Sequence, residues 1–317
     1  MCKNCTNLAT LQNAETRGKI ERDNTHPIHP NLARIMTHES LQEIVCCMGL
    51  PVAGNPSQFM MERAFAAAGL DWRYLTLEVT PEDLPAAVAG MKAMGFRGGN
   101  FTIPHKVAVI PHLKRLTEAA ELMGAVNCIF AEEDGFVGEN TDGKGFVSAL
   151  KEVIEPEGKK VVLFGAGGAA RAIAVELGLN KVASIDIVNR DAARGRDLSN
   201  LLSERIGIES KWIPWNGTHE LPEDVDLVIN GTSIGLSDAT AMVPVNPETF
   251  RDSMIVADVM FNPPQTAFLQ AAQDAGCKTI DGLGMLVNQG VIGFKIWTGV
   301  DPDPTVMREA LEEYLGI

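Results

Sequence analysis

The chain has 317 residues, enough for two domains with separate cores. It is 45% hydrophobic and 21% charged with a mean hydropathy near zero, the composition of a globular protein. A net charge of −14 and the lack of a basic stripe exclude a general nucleic-acid binder, and any anionic substrate would need locally placed donors.

Residues 1–40 are polar and lack clear periodicity, so a flexible extension is expected there. The opening MCKNCTNLATLQNAETRGKIERDN has no apolar core and does not read as a secretory signal. Cys2 and Cys5 have the spacing of half a zinc site. The other half is poor: Cys46 and Cys47 are adjacent on an expected strand and would point to opposite faces, and His26 and His29 match no standard module. No metal is expected. Six cysteines are too sparse for a disulfide scaffold, Cys128 and Cys277 read as buried thiols, and a reducing cytoplasm fits best. No apolar run reaches about 18 residues, so no membrane-spanning helix is expected.

Regular structure is expected to begin near Glu43. EIVCCMG reads as a buried strand, and 57–68 as a helix with Phe59, Met60, Ala64 and Phe65 on one stripe. WRYLTLEV reads as the next strand, followed by a helix starting near Pro81. GGNFTIP reads as a strand that delivers Lys106 to the start of another helix. A helix over 117–123, a strand over 127–130, a turn at Asp134–Gly135 and a helix over 142–154 follow. Strand alternating with helix predicts an α/β fold with a parallel sheet under helical cover.

KKVVLFGAGGAARAIAVELGL then places an apolar strand before Gly165-Ala166-Gly167-Gly168-Ala169-Ala170 and a helix after it. This is a dinucleotide fingerprint in its proper setting. Gly165 permits the tight turn, Gly167 lets backbone approach a pyrophosphate, and Ala170 allows helix and strand to pack closely. The helix start, at Gly168 and Ala169, offers N–H groups and dipole to the phosphates. SIDIV, VDLVIN and MIVADVM read as further strands of this sheet. An apolar helix follows Gly282, and an amphipathic helix over 304–314 ends the chain.

In order, NFTIPHK, GAVNCIF, GENTDGKGF, GAGGAARA, NGTSIGL and GLGMLVNQG resemble the signature segments of shikimate and quinate dehydrogenases, from about Gly49 to Gly299. The resemblance implies two three-layer α/β domains with a cleft between them, the second of Rossmann type. It places a substrate domain at 41–143 together with 286–317, and a dinucleotide domain at 144–285. It makes Lys106 and Asp142 the proton-moving pair beside a nicotinamide cofactor. It places Thr102, Asn127 and Gln289 on substrate hydroxyls, and Thr232 and Gly282 at the cofactor. The chemistry is sound, because a ketone reduced to an alcohol needs a donor at its oxygen as negative charge develops. His105 reads as structural, and Asp142 could also cap the helix that follows it.

The chain departs from the family pattern at informative places. Where the family grips a carboxylate with two serines in a segment like PVSHSLSPxMHNAAF, this chain has PVAGNPSQFMMERAF. Ser57 keeps the second serine, Asn55 replaces the first, and Gly54 stands for the usual histidine. Phe261 stands where the family usually has tyrosine. In the family's NRTxxR clasp for a 2′-phosphate, this chain has Asn189, Arg190, Asp191 and Arg194. The arginines argue for NADP, and Asp191 argues for NAD. NADP is the first expectation, with NAD use open. The expected activity is shikimate dehydrogenase. Alternatives are a quinate or dual-specificity enzyme, a relative acting on a modified analogue, and a non-catalytic ligand sensor on the same fold. A monomer or homodimer is expected.

Overall fold

The computed structural model describes residues 41–236 and 238–317. The expectations placed on residues 1–40, among them those for Cys2, Cys5, His26 and His29, lie outside the described residues. The described chain builds two six-stranded sheets.

The first sheet contains β1 (Glu43–Gly49), β2 (Trp72–Glu78), β3 (Gly98–Phe101), β4 (Arg115–Leu116), β5 (Cys128–Glu132) and β6 (Gly135–Glu139). Its order is β2-β1-β3-β5-β6-β4, with β1 parallel to β2 and β3, and β5 antiparallel to β3 and β6. Helices α1 (Ser57–Ala67), α2 (Leu84–Ala93), α3 (His105–Ala108), α4 (Glu118–Met123) and α5 (Thr141–Lys151) join these strands or leave them. β1 is apolar on both faces because both faces are covered. Cys46 packs with Leu84 and Met91 on one side, and Cys47 with Met60 and Phe65 on the other, as neighbouring strand positions must.

Three boundaries differ from the sequence reading. The helix expected near Pro81 starts at Leu84, because Thr80 and Asp83 first close a turn, with Thr80 Oγ1 donating to Asp83 Oδ2 at 3.0 Å. The strand expected through GGNFTIP stops at Phe101, and Pro104 has no N–H with which to extend a ladder. The helix carrying Asp142 is capped by Asn140, whose side-chain oxygen accepts from Asp142 N at 3.1 Å. Asp142 lies inside the first turn, so its carboxylate is not the cap.

The second sheet contains β7 (Lys160–Phe164), β8 (Ser184–Asn189), β9 (Glu209–Pro214), β10 (Leu227–Asn230), β11 (Ile255–Asp258) and β12 (Lys278–Ile280). All its pairs are parallel, and its order is β9-β8-β7-β10-β11-β12, the doubly wound dinucleotide order. The named helices here are α6 (Gly168–Leu179), α7 (Ala192–Asn200) and α8 (Ala267–Asp274).

The chain then returns to the first sheet through α9 (Gly282–Thr298) and α10 (Pro304–Leu315). Phe294, Trp297, Met307 and Leu311 enter the same core as Val45 and Phe65 of the first sheet. Each such burial contributes roughly 1.5–3 kcal/mol. Trp297 Nε1 donates to the Ile129 carbonyl at 2.9 Å, which fixes α9 against β5. Helix α5 crosses α9 at Gly145, where a Cβ would stand 2.6 Å from Gln289 N and 2.7 Å from Met285 O. That close crossing brings the head of α5, and Asp142 with it, beside Gln289.

Candidate active site

A cavity of about 440 Å³ opens at the ends of β1 and β3. It gathers every substrate-side residue singled out from the sequence: Asn55, Ser57, Thr102, Lys106, Asn127, Asp142 and Gln289. Phe261, from the loop after β11, also lines it.

Lys106 reaches this cavity from the short helix α3. Its Nζ donates to Asp142 Oδ2 at 2.6 Å, with about a third of the lysine side chain and a fifth of the aspartate side chain exposed. The pair is therefore half-sheltered yet open to the cavity. Asp142 is fixed from its other oxygen: Asn127 Nδ2 donates to Oδ1 at 2.7 Å. Asn127 is itself locked. The same Nδ2 donates to Thr141 Oγ1 at 3.0 Å, and its Oδ1 accepts from Thr141 N at 2.7 Å. Both amide hydrogens and the oxygen are thus engaged within the protein. Gln289 faces Thr141, whose hydroxyl stands 3.5 Å from Oε1, and its Nε2 donates to Leu286 O at 3.0 Å.

His105 sits behind the pair. It is fully buried, and its Nε2 lies 2.8 Å from the Val79 carbonyl. It does not line the cavity. Tyr74, also fully buried, donates to Asn100 Oδ1 at 2.7 Å, and Asn100 Nδ2 donates to the Asn127 carbonyl at 3.0 Å. This chain ties β2 and β3 to the clamp on Asp142. Burial pushes the Tyr74 hydroxyl well above its ordinary value, so it stays a protonated donor.

The opposite wall is the loop after β1. Glu78 Oε1 accepts from Val52 N at 3.3 Å and Ala53 N at 3.4 Å, which shapes the turn into α1. Asn55 Oδ1 accepts from Ser57 N at 2.8 Å. That bond fixes the amide, so Asn55 Nδ2 is the end directed at Cys47 Sγ, 3.6 Å away. Burial pushes the Cys47 thiol up to about 11, so it lines the cavity protonated.

Sequence reasoning missed Thr141, Asn100, Cys47 and Glu78. Thr141 adjoins Asp142 and is the most accessible of them to a sequence reading. The other three act across strand pairs, and no local pattern marks them.

A second cavity, of about 390 Å³, lies over the fingerprint turn and is lined by Gly165, Gly167, Gly168, Ala169, Asn189, Arg190 and Thr232. Gly165 has φ +104°, and a Cβ there would stand 3.0 Å from both Gly231 O and Thr232 Cγ2. A Cβ on Gly167 or Gly168 would meet nothing within 4 Å, so the turn before α6 is an open cradle of backbone. These features fit a dinucleotide pyrophosphate. Gly282 does not line this cavity. It lies directly behind Met260, where a Cβ would be 2.5 Å from that residue's carbonyl, and Met260 forms part of the wall.

Asp191 has a specific local task. Its Oδ1 caps α7 by accepting from Ala193 N at 2.9 Å and Arg194 N at 3.1 Å, while Oδ2 lies 3.6 Å from Arg194 Nε. The carboxylate is thus turned onto the helix start. Arg190 lines the cavity, and Arg194 is largely exposed one turn into α7. Asp186, the earlier acidic residue of β8, lies 3.4 Å from Lys211.

A doubly wound sheet with this turn, next to a second sheet bearing a lysine–aspartate pair in a cavity, defines a nicotinamide-dependent oxidoreductase. Comparison with known proteins agrees. Residues 47–129 match the shikimate dehydrogenase substrate binding domain, and 282–312 match the shikimate 5'-dehydrogenase C-terminal domain. A relative from Moorella thermoacetica named shikimate dehydrogenase (NADP(+)) is 40% identical over 277 residues, covering 86% of this chain and 94% of the relative. The ligand-free crystal structure of 5-ketofructose reductase of a Gluconobacter species is 47% identical, with a TM-score of 0.85 over 86% of this chain and 99% of that one. Shikimate 5-dehydrogenase from Thermus thermophilus, in complex with NADP(H) and shikimate, is 33% identical, with a TM-score of 0.75 over 86% of this chain and all of that one. The chain belongs to the shikimate dehydrogenase family of NAD(P)-dependent oxidoreductases. Among the described residues no helix is long and apolar enough to cross a membrane.

Proposed function

We propose that this chain is a shikimate dehydrogenase-type enzyme that interconverts a ketone and a secondary alcohol at the Lys106–Asp142 pair, with NADP as its first cofactor. The observation that carries the reading is the 2.6 Å contact of Lys106 Nζ with Asp142 Oδ2 inside a cavity lined by hydrogen-bonding side chains. A reduced dinucleotide held over the turn before α6 would supply the hydride for the carbonyl carbon. Lys106 is placed to donate to the carbonyl oxygen as its π bond breaks and to give up a proton there. Asp142 holds the ammonium in place, and Asn127 holds Asp142. Solvent at the half-open cavity returns the proton to Lys106. A pair held this way has no evident use in a ligand sensor.

Gly165, Gly167, Gly168 and Ala169 would take the pyrophosphate, with Thr232 beside it. Asn189, Arg190 and Arg194 would take the adenosine ribose and its 2′-phosphate. Because Asp191 spends its carboxylate on the cap of α7, it opposes a 2′-phosphate less than its sequence position suggests. This supports NADP over NAD.

The curated relatives support shikimate and 3-dehydroshikimate as the substrate pair. The 47% identity to a 5-ketofructose reductase, together with Asn55 and Phe261, supports a second reading in which the ketone belongs to a sugar. A cytoplasmic monomer or homodimer is the expected form. The test is the initial rate of NADPH oxidation with each ketone. Turnover that disappears in Lys106→Ala supports the reading, and no NADPH oxidation with either ketone refutes it.

A further inference from the structure

The two cavities meet at one stretch of chain. Val259 and Met260 line the cavity over the fingerprint turn, and the next residue, Phe261, lines the cavity that holds Lys106. With a pyrophosphate over the turn before α6 and the adenosine toward Asn189, the wall left for the nicotinamide end is formed by Thr232, Ile234, Val259 and Met260. A hydride passing from one cavity to the other crosses where this wall joins Phe261.

Both walls are held by one carboxylate that lines neither cavity. Asp258, the last residue of β11, is 1% exposed. Its Oδ1 accepts from Met260 N at 3.0 Å and from Asn230 Nδ2 at 2.9 Å, and its Oδ2 accepts from Thr266 Oγ1 at 2.8 Å. The bonds from Met260 and Thr266 close the loop that carries Phe261 back onto the strand that starts it. Thr266 in turn caps α8, accepting from Leu269 N at 3.3 Å. Asn230, the fully buried last residue of β10, passes the hold to the neighbouring loop. Its Oδ1 accepts from Thr232 N at 3.1 Å and from Thr232 Oγ1 at 2.7 Å, and its Nδ2 also donates to Ile234 O at 3.0 Å. The donors aimed at Asp258 are all uncharged. A buried carboxylate satisfied in this way adds little net stability, but it fixes the groups around it in one arrangement.

We propose that Asp258 is a positioning residue for the reaction: it sets the nicotinamide wall at Thr232 and Met260 and the substrate wall at Phe261 in one register, so that the hydride donor faces the carbonyl carbon. The inference rests on the reading that the Lys106–Asp142 centre reduces ketones with NADPH. It gives Asp258 no contact with either reactant.

The experiment uses the full chain and follows NADPH oxidation with 3-dehydroshikimate and with 5-ketofructose in wild type, Asp258→Ala and Thr266→Val. Both variants lose some stability whatever the role of Asp258, so kinetics are read well below each melting midpoint. In Asp258→Ala, kcat should fall by about 10-fold or more, toward the ~100-fold that a 1 Å misplacement can cost. The deuterium isotope effect on kcat from NADPH deuterated at both C4 positions should be at or above its wild-type value, which places the loss in hydride transfer. Thr266→Val frees the Phe261 loop while leaving Asn230 and Thr232 tied to Asp258. It should therefore raise KM for the ketone more than KM for NADPH. Should Asp258→Ala not fold, Thr266→Val alone decides. Folded variants with wild-type kcat and KM values, or a lowered kcat whose isotope effect falls toward unity, would overturn the inference and leave the proposed reaction standing. No NADPH oxidation by wild type with either ketone would overturn both.

Discussion

Asn127 donates through Nδ2 to Oδ1 of Asp142 at 2.7 Å, on the side of the carboxylate opposite Lys106. The aspartate is thereby held between two donors, and the direction of its Oδ2 is set before any substrate arrives. Asn127 is 4% exposed, and all its polar atoms are engaged. We therefore propose that it acts on the reaction through Asp142.

Replacing Asn127 with Ala should therefore lower kcat more than it raises KM. Misplacing a reacting group by about 1 Å can cost about 100-fold. Asn127→Asp should do worse, since it sets a second carboxylate against the first. Steady-state kinetics on both variants check this. A change confined to KM would assign Asn127 to substrate binding instead.

At the cofactor end, Arg194→Ala should raise KM for NADP⁺ by roughly 10-fold and leave KM for NAD⁺ within about twofold, because only the former carries the 2′-phosphate. Asp191→Thr keeps a capping oxygen on α7 while removing the carboxylate 3.6 Å from Arg194. It should improve NADP⁺ binding severalfold without loss of thermal stability. If NAD⁺ affinity falls in parallel with this gain, Asp191 reaches the ribose after all.

Glu176, on α6, is 9% exposed, and its Oε2 has no hydrogen-bond partner. Burial raises its carboxyl above the ordinary 4.5, and the Glu139 charge adds to this, while Lys144 opposes it. The folded state thus holds this proton more tightly than the unfolded chain does. Stability is lost as pH rises from 4.5 through the raised value, where the buried group must ionise. The Glu176→Gln variant escapes that loss. It should be more stable than the wild type at about pH 8, by on the order of 1 kcal/mol, and equal to it near about pH 4. Urea midpoints at the two pH values measure the difference.

Much of this is legible in the chain itself. The GAGGAA turn can be read because each small residue answers a local steric demand between a strand and a helix. β1 can be read because a strand covered on both faces must be apolar throughout. β9 is harder, since ESKWIP does not alternate polar and apolar residues and lies at the sheet edge, where burial imposes little pattern. Lys106 and Asp142 stand out from their segments. That Asn127 clamps Asp142 does not, because the contact depends on β5 meeting the head of α5. Likewise, Asp191 looks like a ribose ligand in sequence. Only its backbone position, with the carboxylate over two free amides, shows it as a helix cap. The weight of Asn55 also needs the structure, since its amide orientation follows from a bond to Ser57 N.

The proposed reaction turns on Lys106 as the proton carrier. The most direct measurement is kcat/KM for NADPH-dependent ketone reduction by wild type and Lys106→Ala, with NADP⁺ affinity measured alongside by fluorescence. The predicted result is a loss of at least ~100-fold in kcat/KM, with NADP⁺ affinity unchanged within about twofold. A variant that keeps its rate within about tenfold of wild type would contradict that role for Lys106, and the proton would have to come from another group in the cavity.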